Sequence, residues 1–495
     1  MAKPLEAASL DIHDTALVYH GRLVHSQPDR SLEILEDHVL AANSEGLISH
    51  LSPSSSPSSV SLLSFARSHP SKVSLIQPTL PQNAFLLPGF IDTHLHAPQY
   101  LYAGSALDEP LMVWLFKYTF EAESRIDKDP QGIGRKVYDR LATRCIENGT
   151  TMASLFGTIG LEANMVLAEI FENAGLRALV GKVNMDQNSP SFYVEGTSAS
   201  LSSTIEFITK MRGLYPPPIP KHMKLVEPCI TPRFIPTCSK ELLTGLADIA
   251  KIHGVDVQSH LSEARRSPEG ETTQSADEIA FTKSIWGDRE DAEIFDELGL
   301  LSSRSLFAHC THLSLPHLSL LQERGSSISS CPLSNVYFSE RAFPLRQALD
   351  LDAKTGLGSD ISGGYSVGLQ NSMKWAVGMS RHREGRRKDG IIDATLGTVA
   401  DERQDVTWKE AIYLATLGGA RALNRDAYLG SFQIGKSFDC QLLQVGDTDE
   451  GSEVDLFEQI YESGTIPIDL LLEKWWCNGT PKDRKGVWVA GRRLR

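Results

Sequence analysis

Histidine and carboxylate residues stand at the ends of several short apolar runs in this sequence. His94 and His96 end the first of these runs, and residues two apart on a β-strand point to the same side. His260 and Asp360 end two later runs. Three imidazoles and one carboxylate make a mixed nitrogen and oxygen donor set, which suits Zn²⁺ or Fe²⁺ and leaves a position for water. We therefore predict one metal site, with the ligands His94, His96, His260 and Asp360.

Each of these residues, taken alone, has an ordinary structural interpretation. A His-x-His pair occurs often by chance, a lone histidine such as His260 is usually a core residue, and Asp360 could cap a helix. Burying several polar imidazoles together, however, costs free energy unless they bind a partner. Their joint occurrence at the ends of successive runs favours the metal site.

Acid and base groups accompany these ligands. Glu263 follows His260 by three residues, where its carboxylate could reach a substrate nitrogen without binding the metal, and we predict that it shuttles protons. His309 ends another run and is expected to hydrogen-bond the attacking water and the developing oxyanion. Asp360 could also accept a proton from a water whose pKa the metal lowers toward ~7. The predicted catalytic residues are Glu263, His309 and Asp360.

Three further residues could recognise a flat heterocycle that carries a carbonyl oxygen. Arg233 and Phe234 follow the fourth apolar run and offer a fork of hydrogen-bond donors next to an aromatic ring. Gln99, three residues after His96, has an amide that can both donate and accept. The predicted substrate-contacting set is His96, Gln99, Arg233, Phe234, His260, Glu263 and Asp360.

The elements that must position these residues follow an alternating pattern. Eight apolar runs alternate with amphipathic stretches, which is typical of a (β/α)₈ barrel, and the active face of such a barrel lies at the C-terminal ends of its strands. The predicted strands are 85–95, 150–156, 178–185, 223–230, 255–261, 305–309, 326–331 and 353–359. The predicted helices include 133–148, 164–174, 240–253, 315–324 and 408–423.

Short β-type segments at both ends of the chain flank this middle region. We predict that they form a small composite β-sandwich, with residues 1–84 and 425–495 in this lobe and residues 85–424 in the catalytic barrel. The Ser/Pro-rich stretch 51–60 is expected to be a mobile inserted loop. The basic stretch 381–388 is expected to be a solvated loop.

Composition excludes several classes of protein. The 48 Lys and Arg residues and 62 Asp and Glu residues give a net charge of −14, which repels phosphate backbones and anionic lipid, so neither a nucleic-acid nor a membrane partner is expected. The seven cysteines are scattered without a CxxC pair, which fits a reducing compartment. No apolar run is long enough to span a bilayer and no secretory signal is recognisable, so a cytoplasmic location is expected.

Several longer motifs resemble the guanine deaminase family of the amidohydrolase superfamily. The resemblance rests on residues 88–100, 231–234, 258–263, 331–335 and 356–365, and covers most of 85–423. It implies a (β/α)₈ barrel with a composite β-sandwich, one Zn²⁺ per subunit, a homodimer, and hydrolytic deamination of guanine to xanthine and ammonia. The Ser/Pro-rich stretch and an insertion-like stretch at 381–404 depart from the family pattern without touching a motif.

Two alternatives remain open at this point. A related amidohydrolase could act on another amino- or chloro-heterocycle such as a triazine, although Arg233 and Gln99 favour guanine. A barrel without metal could instead serve as a scaffold, although every predicted ligand and Glu263 are present.

Overall fold

The computed structural model describes residues 11–78, 81–215, 220–263, 278–391, 402–446, 451–457, 460–461 and 466–495. These residues form two eight-stranded sheets, one parallel and one mixed. The strands are β1 (Thr15–Ser26), β2 (Leu32–Asn43), β3 (Ile48–Pro53), β4 (Ser74–Ile76), β5 (Ala84–Pro88), β6 (Phe90–His96), β7 (Thr150–Phe156), β8 (Arg177–Asn184), β9 (Val226–Pro232), β10 (Asp256–Leu261), β11 (Ser305–His309), β12 (Ser327–Ser330), β13 (Lys354–Leu357), β14 (Cys440–Gln444), β15 (Arg484–Val489) and β16 (Arg492–Arg493).

Helices connect the strands of the parallel sheet and also cover the mixed one. They are α1 (Pro57–Ser68), α2 (Leu111–Trp114), α3 (Phe120–Lys128), α4 (Arg135–Glu147), α5 (Leu161–Ala174), α6 (Thr197–Gly213), α7 (Lys240–His253), α8 (Glu278–Trp286), α9 (Asp291–Glu297), α10 (Leu315–Arg324), α11 (Pro332–Phe338), α12 (Leu345–Asp350), α13 (Leu369–Lys388), α14 (Trp408–Tyr413), α15 (Gly419–Ala422) and α16 (Ile468–Asn478). Among the described helices, none combines the length and apolar character needed to cross a bilayer.

The parallel sheet is the predicted barrel. Its strands β6 to β13 pair in chain order, each with the next. Backbone hydrogen bonds join β6 to the segment that directly follows β13: Asp360 donates its N–H to the carbonyl oxygen of His94 over 2.9 Å, and His96 donates its N–H to the carbonyl oxygen of Ile361 over 2.8 Å. The last of the eight strands therefore brings Asp360 beside the two histidines of the first.

One predicted strand, 85–95, is two strands in the structure. Residues of β5 pair with β14 in the mixed sheet, whereas β6 belongs to the barrel. The break falls at Gly89, where a Cβ atom would lie 2.1 Å from Thr151 Oγ1, so only glycine allows this close approach to β7. The apolar run is continuous because both strands are fully buried.

The mixed sheet joins the two ends of the chain, as expected. Its strand order is β16-β15-β14-β5-β1-β2-β3, with β4 beside β1. A buried ion pair ties it to the barrel, because Arg177 at the start of β8 donates from Nε to Asp439 Oδ2 over 2.7 Å. The division into residues 1–84 with 425–495 and residues 85–424 stays a prediction.

Two loops expected from composition are regular structure instead. The stretch 51–60 contains the end of β3 and the start of α1, where Ser56 caps the helix by accepting from the Ser59 N–H and Pro57 begins it. The stretch 381–388 is the last part of α13, and its basic residues suit the C-terminal end of the helix dipole. Part of the insertion-like stretch 381–404, namely 392–401, lies outside the described residues.

Candidate active site

The predicted site residues converge in one cavity at the C-terminal ends of the barrel strands. The cavity has about 410 Å³ of empty space, part of which is open to solvent. Its polar lining is His96, Gln99, Arg233, His260, Glu263, His309, Ser334 and Asp360, and its apolar lining includes Leu111, Trp114, Leu115, Phe234 and Phe338. His94 lies deeper, with 1% of its surface exposed. The structure thus brings together every residue that the sequence singled out.

The histidines and Asp360 fit a cation. Nε2 of His96 faces Nε2 of His260 at 3.0 Å, and Nε2 of His94 lies 3.1 Å from Asp360 Oδ1. Among the described residues, the His94 Nε2 atom is buried without a hydrogen-bond partner. Nitrogen and carboxylate donors that converge at these distances match the arrangement in which a cation is shared between them. The donor set therefore fits one divalent metal ion.

A backbone hydrogen bond orients His260 for this role. Nδ1 of His260 lies 2.6 Å from the carbonyl oxygen of Arg233, which can only accept, so Nδ1 carries the hydrogen. The neutral ring then presents the lone pair of Nε2 to the cluster. Burial lowers the pKa of His94, His96 and His260 well below the ordinary histidine value, and the charge of a neighbouring histidine adds to the effect. All three imidazoles are therefore neutral and suited to bind metal.

Glu263 and His309 lie beside this cluster. His309 Nε2 lies 3.5 Å from Glu263 Oε2 and 3.8 Å from Asp360 Oδ2. Burial raises the pKa of the Glu263 carboxyl well above its ordinary value, and the negative charge of Asp360 raises it further. A raised pKa favours the protonated carboxyl group, which is the form that can act as a general acid.

A side chain that sequence analysis missed orients His309. Nδ1 of His309 lies 3.0 Å from Asn335 Oδ1, an acceptor, so Nδ1 donates and Nε2 faces the site with its lone pair. Asn335 belongs to α11, directly after β12. It lies within the motif 331–335, but only the fold brings it to His309.

The backbone is strained at two of these positions. His309 has φ of +68° and Asp360 has φ of +48°, in the left-handed region that non-glycine residues seldom adopt. Both residues come at or just after the end of a barrel strand, where the chain turns away. Such strain is characteristic of sites where a side chain must point in one direction.

Asp92 is a second residue that sequence analysis did not assign. Its fully buried Oδ1 accepts from the backbone N–H groups of His94 and Ser359, over 3.2 and 3.0 Å. Burial raises the pKa of Asp92 to about 7. It therefore joins the strand that carries two histidines to the segment that carries Asp360.

Cys331 also lies close to the cluster. Its sulfur is grouped with the side-chain donors of His94, His309 and Asp360, all within 4.8 Å of one another. Burial raises the pKa of the Cys331 thiol well above its ordinary value, and the charge of Asp360 raises it further. Cys331 therefore lies beside the predicted ligand set of His94, His96, His260 and Asp360.

The remaining walls are suited to a flat ring. Trp114 and Phe338 pack with ring centroids 5.0 Å apart, and Phe234 lies on the same cavity. Oε1 of Gln99 accepts a hydrogen bond from the backbone N–H of Ser362 over 3.2 Å, and the amide nitrogen is the donor of this side chain. Trp114 gave no local signal in the sequence, because a tryptophan in an apolar segment usually belongs to the core.

Arg233 has an unexpected partner. Its guanidinium donates two hydrogen bonds to Glu123, from Nη1 to Oε2 over 2.8 Å and from Nη2 to Oε1 over 3.0 Å. Glu123 is completely buried and belongs to α3, outside the barrel strands. The arginine at the cavity is therefore charge-compensated before any ligand arrives.

Known proteins of similar sequence and structure identify the family to which this chain belongs. A model of the amidohydrolase family matches residues 85–494. Guanine deaminase of Mus musculus is 35% identical over 97% of this chain and 96% of its own length, and that of Escherichia coli is 30% identical over 80% and 82%. The crystal structure of a C. acetobutylicum guanine deaminase with bound guanine superposes with a TM-score of 0.79 at 28% identity, covering 97% of this chain and 99% of that one. These matches confirm the resemblance seen in the motifs, and the chain belongs to the amidohydrolase family.

Proposed function

We propose that this protein catalyses the hydrolytic deamination of guanine to xanthine and ammonia. The observation that carries the proposal is one cavity lined by Arg233 and Gln99 together with His96, His260, Glu263 and Asp360. Relatives named guanine deaminase, similar along nearly the whole chain, support the choice of substrate.

The metal in this proposal is Zn²⁺, one per subunit, held by His94, His96, His260 and Asp360. When bound, Zn²⁺ would lower the pKa of a coordinated water toward neutrality and so supply the nucleophile. Three nitrogen donors and one oxygen donor with room for water favour zinc, and the same set also accepts Fe²⁺. Metal analysis of the purified protein distinguishes the two.

The chain's own groups move the protons. Water adds its oxygen to C2 of guanine while Glu263 delivers a proton to the adjacent ring nitrogen, and Asp360 accepts a proton from the water. Nε2 of His309 accepts a hydrogen bond from the attacking water and orients it. In its protonated form, His309 would also stabilise the charge that develops on the oxygen at C2. Asp360 then passes the proton it took from water to the amino nitrogen, the bond between C2 and that nitrogen breaks, and ammonia leaves. The hydroxyl on C2 gives its proton back to Glu263 as the carbonyl group of xanthine forms.

Substrate recognition is assigned to the donors and rings around the cavity. Arg233 and the amide nitrogen of Gln99 hydrogen-bond the guanine carbonyl oxygen and ring edge, and Phe234 packs against the ring. His96, His260, Glu263 and Asp360 contact the part of the ring at which the reaction takes place.

A second candidate is hydrolysis of another amino- or chloro-heterocycle, and a third is a scaffold without metal. The decisive experiment measures ammonia release from guanine, other purines, pterins and triazines, together with metal content. Release from guanine above all others supports the proposal. If a triazine or pterin reacted faster than guanine, that compound would be the better substrate assignment. Purified protein that is folded, free of metal and inactive would favour the scaffold.

The proposal includes a homodimer in the cytoplasm. Both features come from the family resemblance and from the composition of the chain. Light scattering of the purified protein tests the first, and fractionation of the source cells tests the second.

A further inference from the structure

The pairing of Arg233 with Glu123 is bidentate and buried. Arg233 is 2% exposed and Glu123 is 0% exposed, so neither charge is solvated by water. Two parallel hydrogen bonds, of 2.8 and 3.0 Å, fix the plane of the guanidinium as well as its distance. An arginine held in this way cannot rotate without breaking both bonds.

Phe120 lies one turn before Glu123 on helix α3, and the guanidinium of Arg233 lies over its ring. The Arg233 Cζ atom lies 5.1 Å from the ring centroid of Phe120, the first residue of α3. A cation over an aromatic face gains a further electrostatic attraction that is strongest when both are desolvated. Phe120 and Glu123 therefore hold one face and one edge of Arg233, and the remaining N–H groups are available for other acceptors.

Without Glu123, the guanidinium would have other carboxylates to pair with. Glu263 and Asp360 line the same cavity as Arg233. An ion pair with Arg233 would hold Glu263 in its ionised form, so that Glu263 could not deliver a proton. An ion pair with Asp360 would compete with metal binding. By accepting hydrogen bonds from both Nη atoms, Glu123 leaves Arg233 fewer donors with which to pair with either carboxylate.

We propose that Glu123, with Phe120, is a positioning residue for substrate recognition: the pair aims Arg233 at the carbonyl oxygen of the substrate and keeps it from the catalytic carboxylates. This inference rests on the proposed function, since it concerns the recognition of guanine. The net neutral pair recognises an uncharged carbonyl by hydrogen bonding rather than attracting anions in general. Nothing in the local sequence marks Glu123 for this role, because acidic residues are common in the first turn of helices.

The test is a double-mutant cycle between Glu123→Gln and Arg233→Met. Glutamine keeps the size of the side chain but removes its charge. We expect Glu123→Gln to lower kcat/KM for guanine by about 10-fold to 10²-fold, since a charge-assisted contact loses its fixed geometry. In the Arg233→Met background the same change should cost less than about 3-fold, because there is no arginine left to aim. Metal content should stay at one ion per chain throughout.

Glu121→Gln is the matched control. Glu121 lies on the same helix and forms an exposed i,i+4 ion pair with Arg125, so its loss should leave guanine turnover unchanged. If Glu123→Gln does not fold, Phe120→Leu takes its place in the cycle, with an expected loss of about 2-fold to 30-fold that again disappears in the Arg233→Met background.

The outcomes separate the two levels of inference. A wild-type enzyme that releases no ammonia from guanine would overturn the proposed function and this inference together. Guanine turnover in the wild type, combined with equal losses from Glu123→Gln in both backgrounds, would overturn this inference alone, because an equal loss indicates a purely structural role. A loss that occurs in the protein with Arg233 and disappears in the Arg233→Met variant supports the inference.

Discussion

His260 donates its Nδ1 hydrogen to the backbone carbonyl oxygen of Arg233 over 2.6 Å. This hydrogen bond joins a proposed metal ligand to the proposed substrate-recognition residue. Because it involves the main chain of Arg233, a substitution of the arginine side chain leaves it in place. Metal binding and substrate recognition can therefore be perturbed one at a time.

Removal of one ligand tests the metal site. Replacing His260 or Asp360 by Ala should abolish turnover and lower the metal content, because an open four-ligand site is seldom restored by other groups. Elemental analysis and ammonia release are measured on the same preparation. A variant with full metal and the wild-type rate would show that the residue is not a ligand.

Glu263→Gln separates proton transfer from metal binding. Glutamine keeps the size and polarity of the side chain but cannot carry the proton, so kcat should fall by about 10²-fold or more. The metal content should not change. A Glu263→Gln variant that lost its metal would indicate that Glu263 is a metal ligand.

Arg233→Met tests the basis of substrate choice. The guanine carbonyl accepts from the arginine fork, whereas adenine presents an amino group at that position, so the wild type should deaminate guanine and ignore adenine. The variant should lose about 10-fold to 10²-fold or more in kcat/KM for guanine, at unchanged metal occupancy. If the wild type deaminated guanine and adenine equally well, Arg233 would not be the residue that selects guanine.

Asn335→Leu tests the orientation of His309. Leucine has a similar size but cannot accept the Nδ1 hydrogen, so the ring can rotate or change tautomer. The loss of one neutral hydrogen bond predicts that kcat falls by about 3-fold to 10-fold, with the metal content unchanged. An unchanged kcat would show that packing alone orients His309.

Asp439→Asn tests the tie between the barrel and the mixed sheet. It leaves Arg177 buried without a full countercharge, and breaking a buried pair lowers the free energy of unfolding by about 3 to 5 kcal/mol. Arg125→Gln, which breaks an exposed pair with Glu121, should change it by less than about 1 kcal/mol. Chemical denaturation measures both. Equal effects would show that burial adds nothing to the Arg177 pair.

Local patterns in the sequence determined the barrel and the residues of its active face. Helices 240–253 and 315–324 and strands 150–156 and 305–309 have the predicted bounds, because periodicity, Ser caps and C-terminal glycines mark them locally. Histidines at strand ends could be located in the same way, since barrel topology assigns those ends to one face. The prediction that the Ser/Pro-rich stretch 51–60 forms a mobile loop was wrong, because composition alone does not distinguish a helix cap from a loop.

Only the tertiary structure decided which side chains support that face. Glu123 contacts Arg233, Asn335 contacts His309, and Asp92 contacts Ser359, each across a large separation along the chain. The division of 85–95 into β5 and β6 also could not be predicted from the sequence. The two strands pair with different sheets, but the apolar run that forms them is continuous. Periodicity and capping act over a few residues, whereas these contacts form only when distant strands and helices pack, so no local pattern encodes them.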